Sequence, residues 1–210
     1  MMMMEGKQGL RLTTLCFCLR EGGKHLLLGR KKRGFGLGKW NGLGGKVEAS
    51  ETIVAAAKRE CEEESGLVVE ESHLEKRGLL EFIFEGNPEW DNRCHVFVTS
   101  QWKGDPVETD EMAPQWWDVG SLPYDKMWPD DKIWYKQLTF AFSVYFVFPA
   151  LVLTTSFLLL LSSFLSYHPE NALRCDTTER VPIMLSGQRF AFRFFFRQET
   201  MLRYETITME

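Results

Sequence analysis

The sequence has no surplus of charge of either sign: 25 Lys and Arg stand against 29 Asp and Glu, a formal net charge of −4 over 210 residues. That excludes a protein gripping nucleic acid by bulk positive charge, and no nucleic-acid partner is expected. If the ligand carries phosphates, a divalent metal held by carboxylates must neutralise them instead. Cysteine is sparse as well. Cys16, Cys18, Cys61, Cys94 and Cys175 are odd in number and form no CxxC pair, and the 4 histidines add no zinc-site spacing. They read as reduced thiols of an intracellular protein. A secretory leader is missing too: the apolar run at residues 12–19 is broken by Thr13 and Thr14 and closed by Arg20, which suits a strand better than an export signal. The expectation is a cytoplasmic monomer, with nucleus or mitochondrion also open. With 44% hydrophobic and 26% charged residues, the chain is neither disordered nor collagen-like.

What is present is a mixed pattern, strands around at least one helix, hence an α+β class. Leu15, Phe17 and Leu19 alternate with Thr14, Cys16 and Cys18, the period of a strand covered on both faces. Glu21-Gly22-Gly23-Lys24 turns into His25-Leu26-Leu27-Leu28, a hairpin. A stretch dense in glycine and cations follows, then a helix over residues 50–65 with Ser50 as N-cap, Glu51 at the positive helix end and Gly66 as stop. Further strands are expected at 79–84, 94–100, 115–118 and 189–197.

The helix carries Glu60, Glu63 and Glu64, which at 100° per residue share an arc of about 100°. Like charges so spaced repel by roughly 0.2–0.5 kcal/mol per pair. The arc continues through Ile53, Ala56 and Ala57, an inward surface, while Lys58 and Glu62 take the solvent side. Gly42-Leu43-Gly44-Gly45 just upstream lets backbone approach a ligand closely. Three carboxylates on a partly buried face need a counter-charge, and Mg²⁺, with Mn²⁺ as substitute, is hard, oxygen-seeking and commonly bridged to phosphates.

Gly45, Glu51 and Arg59-Glu60-Cys61-Glu62-Glu63-Glu64-Ser65-Gly66-Leu67 resemble the Nudix signature G-x5-E-x7-R-E-U-x-E-E-x-G-U. Cys61 departs from it, standing where an aliphatic residue is usual. The resemblance implies a Nudix fold, a mixed sheet between helices. It implies Glu60, Glu63 and Glu64 as metal ligands, assisted by the carbonyl of Gly44 or Gly45. Glu51 and Arg59 would pair to orient the helix, with Glu64 the first choice of general base and Glu111 the second. Lys31 to Gly36, Gly38 to Gly42, Pro106 to Glu108, Asp110 to Met112 and Met127 to Asp131 further resemble the animal branch of the family that hydrolyses oxidised purine nucleoside triphosphates, 8-oxo-dGTP and 2-hydroxy-dATP, to monophosphate and diphosphate.

On that resemblance, Phe35, Phe82 and Trp128 form an apolar slot for a purine, and Asn41 supplies an amide edge that donates and accepts. Adjacent Asp130 and Asp131 would share a proton, donating to one base edge and accepting from another. Pro129-Asp130-Asp131 reads equally as a helix start. Thr14 and Lys31 match further pocket positions, and Glu111 an accessory metal ligand. Residues 87–93 depart from the branch, with an apparent one-residue insertion. A Nudix hydrolase for a methylated purine triphosphate or ADP-ribose, or a module that binds nucleotide without cleaving it, are the alternatives; a complete set of signature carboxylates speaks against the last.

From Gln137 to Tyr167 the chain runs 31 residues without a charged side chain. That is long enough to span a bilayer, but one crossing would separate the first 136 residues from the strand at 189–197. A membrane association is thus disfavoured though open. The favoured reading is translated non-coding sequence or an unusual splice form. The organisation expected is a Nudix domain over 9–137, a hydrophobic insertion over 138–187, and the domain's C-terminal strand within 188–210.

Overall fold

In strand β1 (Arg11–Arg20), Leu15, Phe17 and Leu19 turn to one side and Cys16 and Cys18 to the other, and all five are buried. A strand apolar on both faces belongs in mid-sheet, and β1 lies there. The computed structural model describes residues 9–135, 138 and 189–208. Strands β2 (His25–Lys31), β3 (Trp40–Asn41), β4 (Glu75–Phe84), β5 (Asn92–Thr99), β6 (Met112–Asp118), β7 (Phe190–Arg197) and β8 (Thr200–Thr206) join β1 in a mixed sheet, ordered β3-β2-β1-β5-β4-β7-β8 with β6 paired to β2. The β1–β5 and β4–β7 pairs are parallel and the remainder antiparallel. Strands β4 and β5 start earlier than their apolar runs suggest, because Glu75 and Asn92 extend the backbone ladder without needing apolar side chains, and β6 starts at the buried Met112.

Helix α1 (Ile53–Ser65) ends as expected, with Gly66 left-handed at φ 73° and its N–H bonded to the Glu62 carbonyl at 2.8 Å. Its start differs. Thr52, not Ser50, is the N-cap, its Oγ1 accepting from the Ala55 N–H at 3.1 Å. Glu51 stands before the helix, not in its first turn, because its carboxylate is engaged with the Glu48 N–H and the Arg59 side chain.

Two apolar clusters flank the sheet. Cys16, Cys18, Leu27 and Leu43 pack with Cys61 of α1 on one face. On the other, Phe17, Leu28, Val96 and Phe194 pack with Trp134 and Tyr135, from the helical residues 131–135. The late strand joins this sheet: β7 runs beside β4 from Gly78 opposite Phe190 to Phe84 opposite Phe196. The stretch 138–187 lies outside the described residues except Leu138, which is buried in the second cluster. Among the described residues, no helix is long and apolar enough to cross a membrane.

Candidate active site

A cavity of about 640 Å³ opens between β1, β4, the loop at residues 33–36 and the segment 128–134. That is the size of a small-molecule pocket. Its walls include Thr14, Lys31, Phe35, Asn41, Gly44, Gly45, Phe82, Glu111, Trp128, Asp130 and Asp131, residues up to 117 positions apart in the chain. Glu51, Arg59, Glu60, Glu63 and Glu64 do not line it; they stand at one end, joined to it through Gly44, Gly45 and Lys31.

At that end α1 presents its carboxylates to the Gly44-Gly45 backbone. The Gly44 N–H donates to Glu64 Oε2 at 2.8 Å. A Cβ on Gly44 would sit 2.1 Å from the Thr14 carbonyl oxygen, so that position admits no side chain, and one on Gly45 would sit 2.4 Å from Glu60 Oε1 and push that carboxylate aside. Lys31 Nζ bridges Glu64 (3.4 Å) and Glu111 (2.5 Å), while Arg33 reaches the far oxygen of Glu111 at 3.1 Å. Arg59 binds Glu51 through two nitrogens, at 2.7 and 3.1 Å, and shares a third between Glu60 (3.0 Å) and Glu63 (2.9 Å). Glu63 lies at the edge of the arc and its side chain is 59% exposed, against 4% for Glu64.

These surroundings separate the acids. Burial pushes the Glu64 carboxyl up to about 7, against the opposing pull of the Gly44 N–H and Lys31. Burial also raises Glu60, against Arg59. Lys31 and then Arg33 hold Glu111 low, and Arg59 holds Glu51 low. Burial disfavours the charge on Glu64 and, less completely, on the half-buried Glu60, and this all-oxygen donor set beside a glycine backbone fits a hard divalent cation.

The opposite end holds Asp130 and Asp131, 2% and 1% exposed. Trp134 Nε1 donates to Asp130 Oδ2 at 2.8 Å and the Trp128 N–H to Asp131 Oδ2 at 3.0 Å; Asp130 Oδ1 is buried without a partner among the described residues. Burial lifts Asp130 to about 6, and burial together with the Asp130 charge lifts Asp131 well above the ordinary range. Burial thus disfavours two charges on these neighbours, which titrate as a pair. The helix-start reading holds too, since Asp131 closes the turn on Trp128. Asn41 Oδ1 accepts from the Gly42 N–H (2.8 Å) and the Tyr135 hydroxyl (3.4 Å).

Phe35, Phe82 and Trp128 all line the cavity, and Phe35 and Trp128 stack on each other at 5.0 Å and 23°, too close to admit a base between them. Phe82 stacks on Phe194 at 5.8 Å. Trp90, from the departing segment 87–93, packs on Phe35 at 5.4 Å. Sequence reasoning missed Phe84, Phe196, Trp134, Thr13 and Asn92, all in the wall. Phe84 was accessible from its alternation with Phe82, whereas Phe196 arrives through the parallel pairing of β7 with β4, which no local pattern reveals.

A NUDIX domain model matches residues 9–138. The chain is 48% identical over 128 residues to the oxidized purine nucleoside triphosphate hydrolase of Danio rerio, covering 61% of this chain and 79% of that one. Identity to the Mus musculus enzyme of the same name is 47% with the same coverage. Among solved structures, a MutT NUDIX hydrolase from Burkholderia pseudomallei superposes with a TM-score of 0.50 at 28% identity, over 55% of this chain and 88% of that one. The mutator MutT protein from Bacillus halodurans gives 0.61 at 20% identity over 94% and 97%, a likeness of fold.

Proposed function

The chain belongs to the NUDIX family, and from that premise we propose that it is a Mg²⁺-dependent hydrolase of oxidised purine nucleoside triphosphates, yielding monophosphate and diphosphate. The observation that carries this reading is the pair of buried neighbouring acids, Asp130 and Asp131, in the same cavity that ends on the glutamates of α1. The O6/N7 edge of unmodified guanine carries only acceptors and leaves no hydrogen for an ionised carboxylate. An edge that carries an extra oxygen or hydroxyl, with a displaced proton, is met by one carboxyl that donates and another that accepts. The names of the Danio rerio and Mus musculus relatives agree with it.

The roles follow from position. Asn41 and the aspartate pair hold the base, with Trp128 and Phe82 as its apolar walls. Lys31 meets phosphate charge at the middle of the cavity. Glu60, Glu63 and Glu64, with the Gly44 or Gly45 carbonyl, would hold the metal, replacing Arg59 and Lys31 as their counter-charge. When bound, the metal supplies charge neutralisation for the phosphates and acidifies the attacking water. Glu64, raised to about 7 and fixed by the Gly44 N–H, suits the proton acceptor for that water. Arg59 is a positioning residue, pinned by Glu51 so that Glu60 and Glu63 keep their places.

The test is diphosphate release with Mg²⁺ from 8-oxo-dGTP, 2-hydroxy-dATP and dGTP by the full chain. Preference for the oxidised bases is expected; equal rates on all three, or none with any, would defeat the proposal. Glu63→Gln should lose turnover while retaining nucleotide binding, which a non-catalytic binding module would not show.

A further inference from the structure

Between helix α1 and the sheet, the fold gathers three thiols that no sequence spacing links. Cys16 and Cys18 project from the same side of β1, and Cys61 comes down from α1 at the position where the family signature has an aliphatic side chain. The three sulfurs all lie within 4.8 Å of one another, with Cys18 and Cys61 3.9 Å apart. All three side chains are fully buried, among Leu27, Leu43, Leu67 and Val69.

We propose that Cys16, Cys18 and Cys61 form a binding site for one trivalent arsenical, taken up as arsenous acid. Three sulfurs at ~2.3 Å around a pyramidal centre stand roughly 3.5 Å apart, and this trio, with Cys18 and Cys61 3.9 Å apart and all three within 4.8 Å, closes on it by small side-chain shifts. Zinc asks for a fourth ligand. No His, Asp or Glu completes the group among the described residues, and apart from the Ser65 hydroxyl beside Cys61 the walls are apolar, so a fourth-ligand water would lack most of its hydrogen-bonding partners. Charge then decides among three-coordinate ions. Three thiolates around Cu⁺ or Zn²⁺ leave net negative charge in an apolar pocket, which is costly. A trivalent arsenic centre with three thiolates is neutral. The exchange balances without an oxidant: each thiol gives its proton to one hydroxyl of As(OH)₃, three As–O bonds break, three As–S bonds form, and three waters leave.

The test is native mass spectrometry of the reduced full chain after exposure to arsenite, added both to the folded protein and during refolding from denaturant. The expected adduct is one arsenic per chain with the loss of three hydrogens, absent from Cys61→Val and from Cys18→Ser variants whose circular dichroism matches the parent. An adduct heavier by one water, which marks only two thiols bound, would overturn the proposal. So would an adduct that survives in both variants, or no adduct by either route. In parallel arms with Zn²⁺ or Cu⁺ alone, a metal that binds one to one and that arsenite fails to displace would overturn it as well.

Discussion

Replacing Asp130 by Asn tests the base-recognition reading while leaving the phosphate end untouched. Asp130 gives one oxygen to Trp134 Nε1 at 2.8 Å, and its other oxygen is buried without a partner. An amide keeps the bond to Trp134 but puts an NH₂ where the free oxygen stood, and it ends proton sharing with Asp131. The loss is one charge-assisted hydrogen bond to the base, about 1.5–3 kcal/mol. That corresponds to a fall of roughly 10- to 150-fold in kcat/KM for an oxidised purine triphosphate. The fall should sit mostly in KM, because the variant leaves Glu64, Lys31 and Arg59 in place. Steady-state diphosphate release from 8-oxo-dGTP and dGTP measures it. An equal loss on both substrates, or none on 8-oxo-dGTP, refutes the reasoning. The pH dependence has a definite sign. Below about 6 Asp130 takes up its own proton and the acceptor is lost, so 1/KM of the parent falls on the acid side; that limb should vanish in the variant. Stability moves the other way. A folded-state pKa raised from 3.8 to about 6 means stability that is full below pH ~4 and is lost as pH rises through about 6. The neutral amide escapes that loss, so Asp130→Asn should melt higher than the parent at pH 8 but not at pH 4.

Three further outcomes follow from other contacts. Gly45→Ala places a Cβ 2.4 Å from Glu60 Oε1 and should cut kcat at least ~100-fold with circular dichroism unchanged; near-parent turnover would remove Glu60 from the machinery. Glu81, 2% exposed, is bound by Arg93 of β5 at 2.7 Å and Arg193 of β7 at 2.6 Å, so Glu81→Ala strips the acid from between two cations. Because both arginines are partly solvated, the expected cost is about 1–3 kcal/mol in urea unfolding, and under ~0.5 would mean that the pairs do little to fasten β7. Thr52→Ala should cost about 1 kcal/mol, and Ser50→Ala almost nothing; the reverse order would return the helix start to Ser50.

Chemistry confined to one element was readable from the sequence. The alternation in β1 and the left-handed stop at Gly66 are set by neighbours within a strand or a turn, where period and spacing carry the information, while the Glu51–Arg59 pair was implied by the resemblance to the family signature. Contacts between distant elements were not. Phe196 enters the cavity wall, and Arg193 reaches Glu81, because β7 pairs parallel to β4 across 112 positions, and alternation in either strand names a face but not a partner. Cys16, Cys18 and Cys61 looked scattered for the same reason: a helix must fold across a strand before three sulfurs share one space. Phe35 lines the cavity, but aromatic type alone does not say that its ring also stacks on Trp128. The features that break local rules nevertheless lie together. Two adjacent acids are buried with one oxygen unpartnered among the described residues, burial raises two glutamates beside a glycine turn, and both pairs lie on or beside one cavity. A fold tolerates such strained electrostatics where a ligand relieves them, and a base at one end with a cation at the other would relieve both.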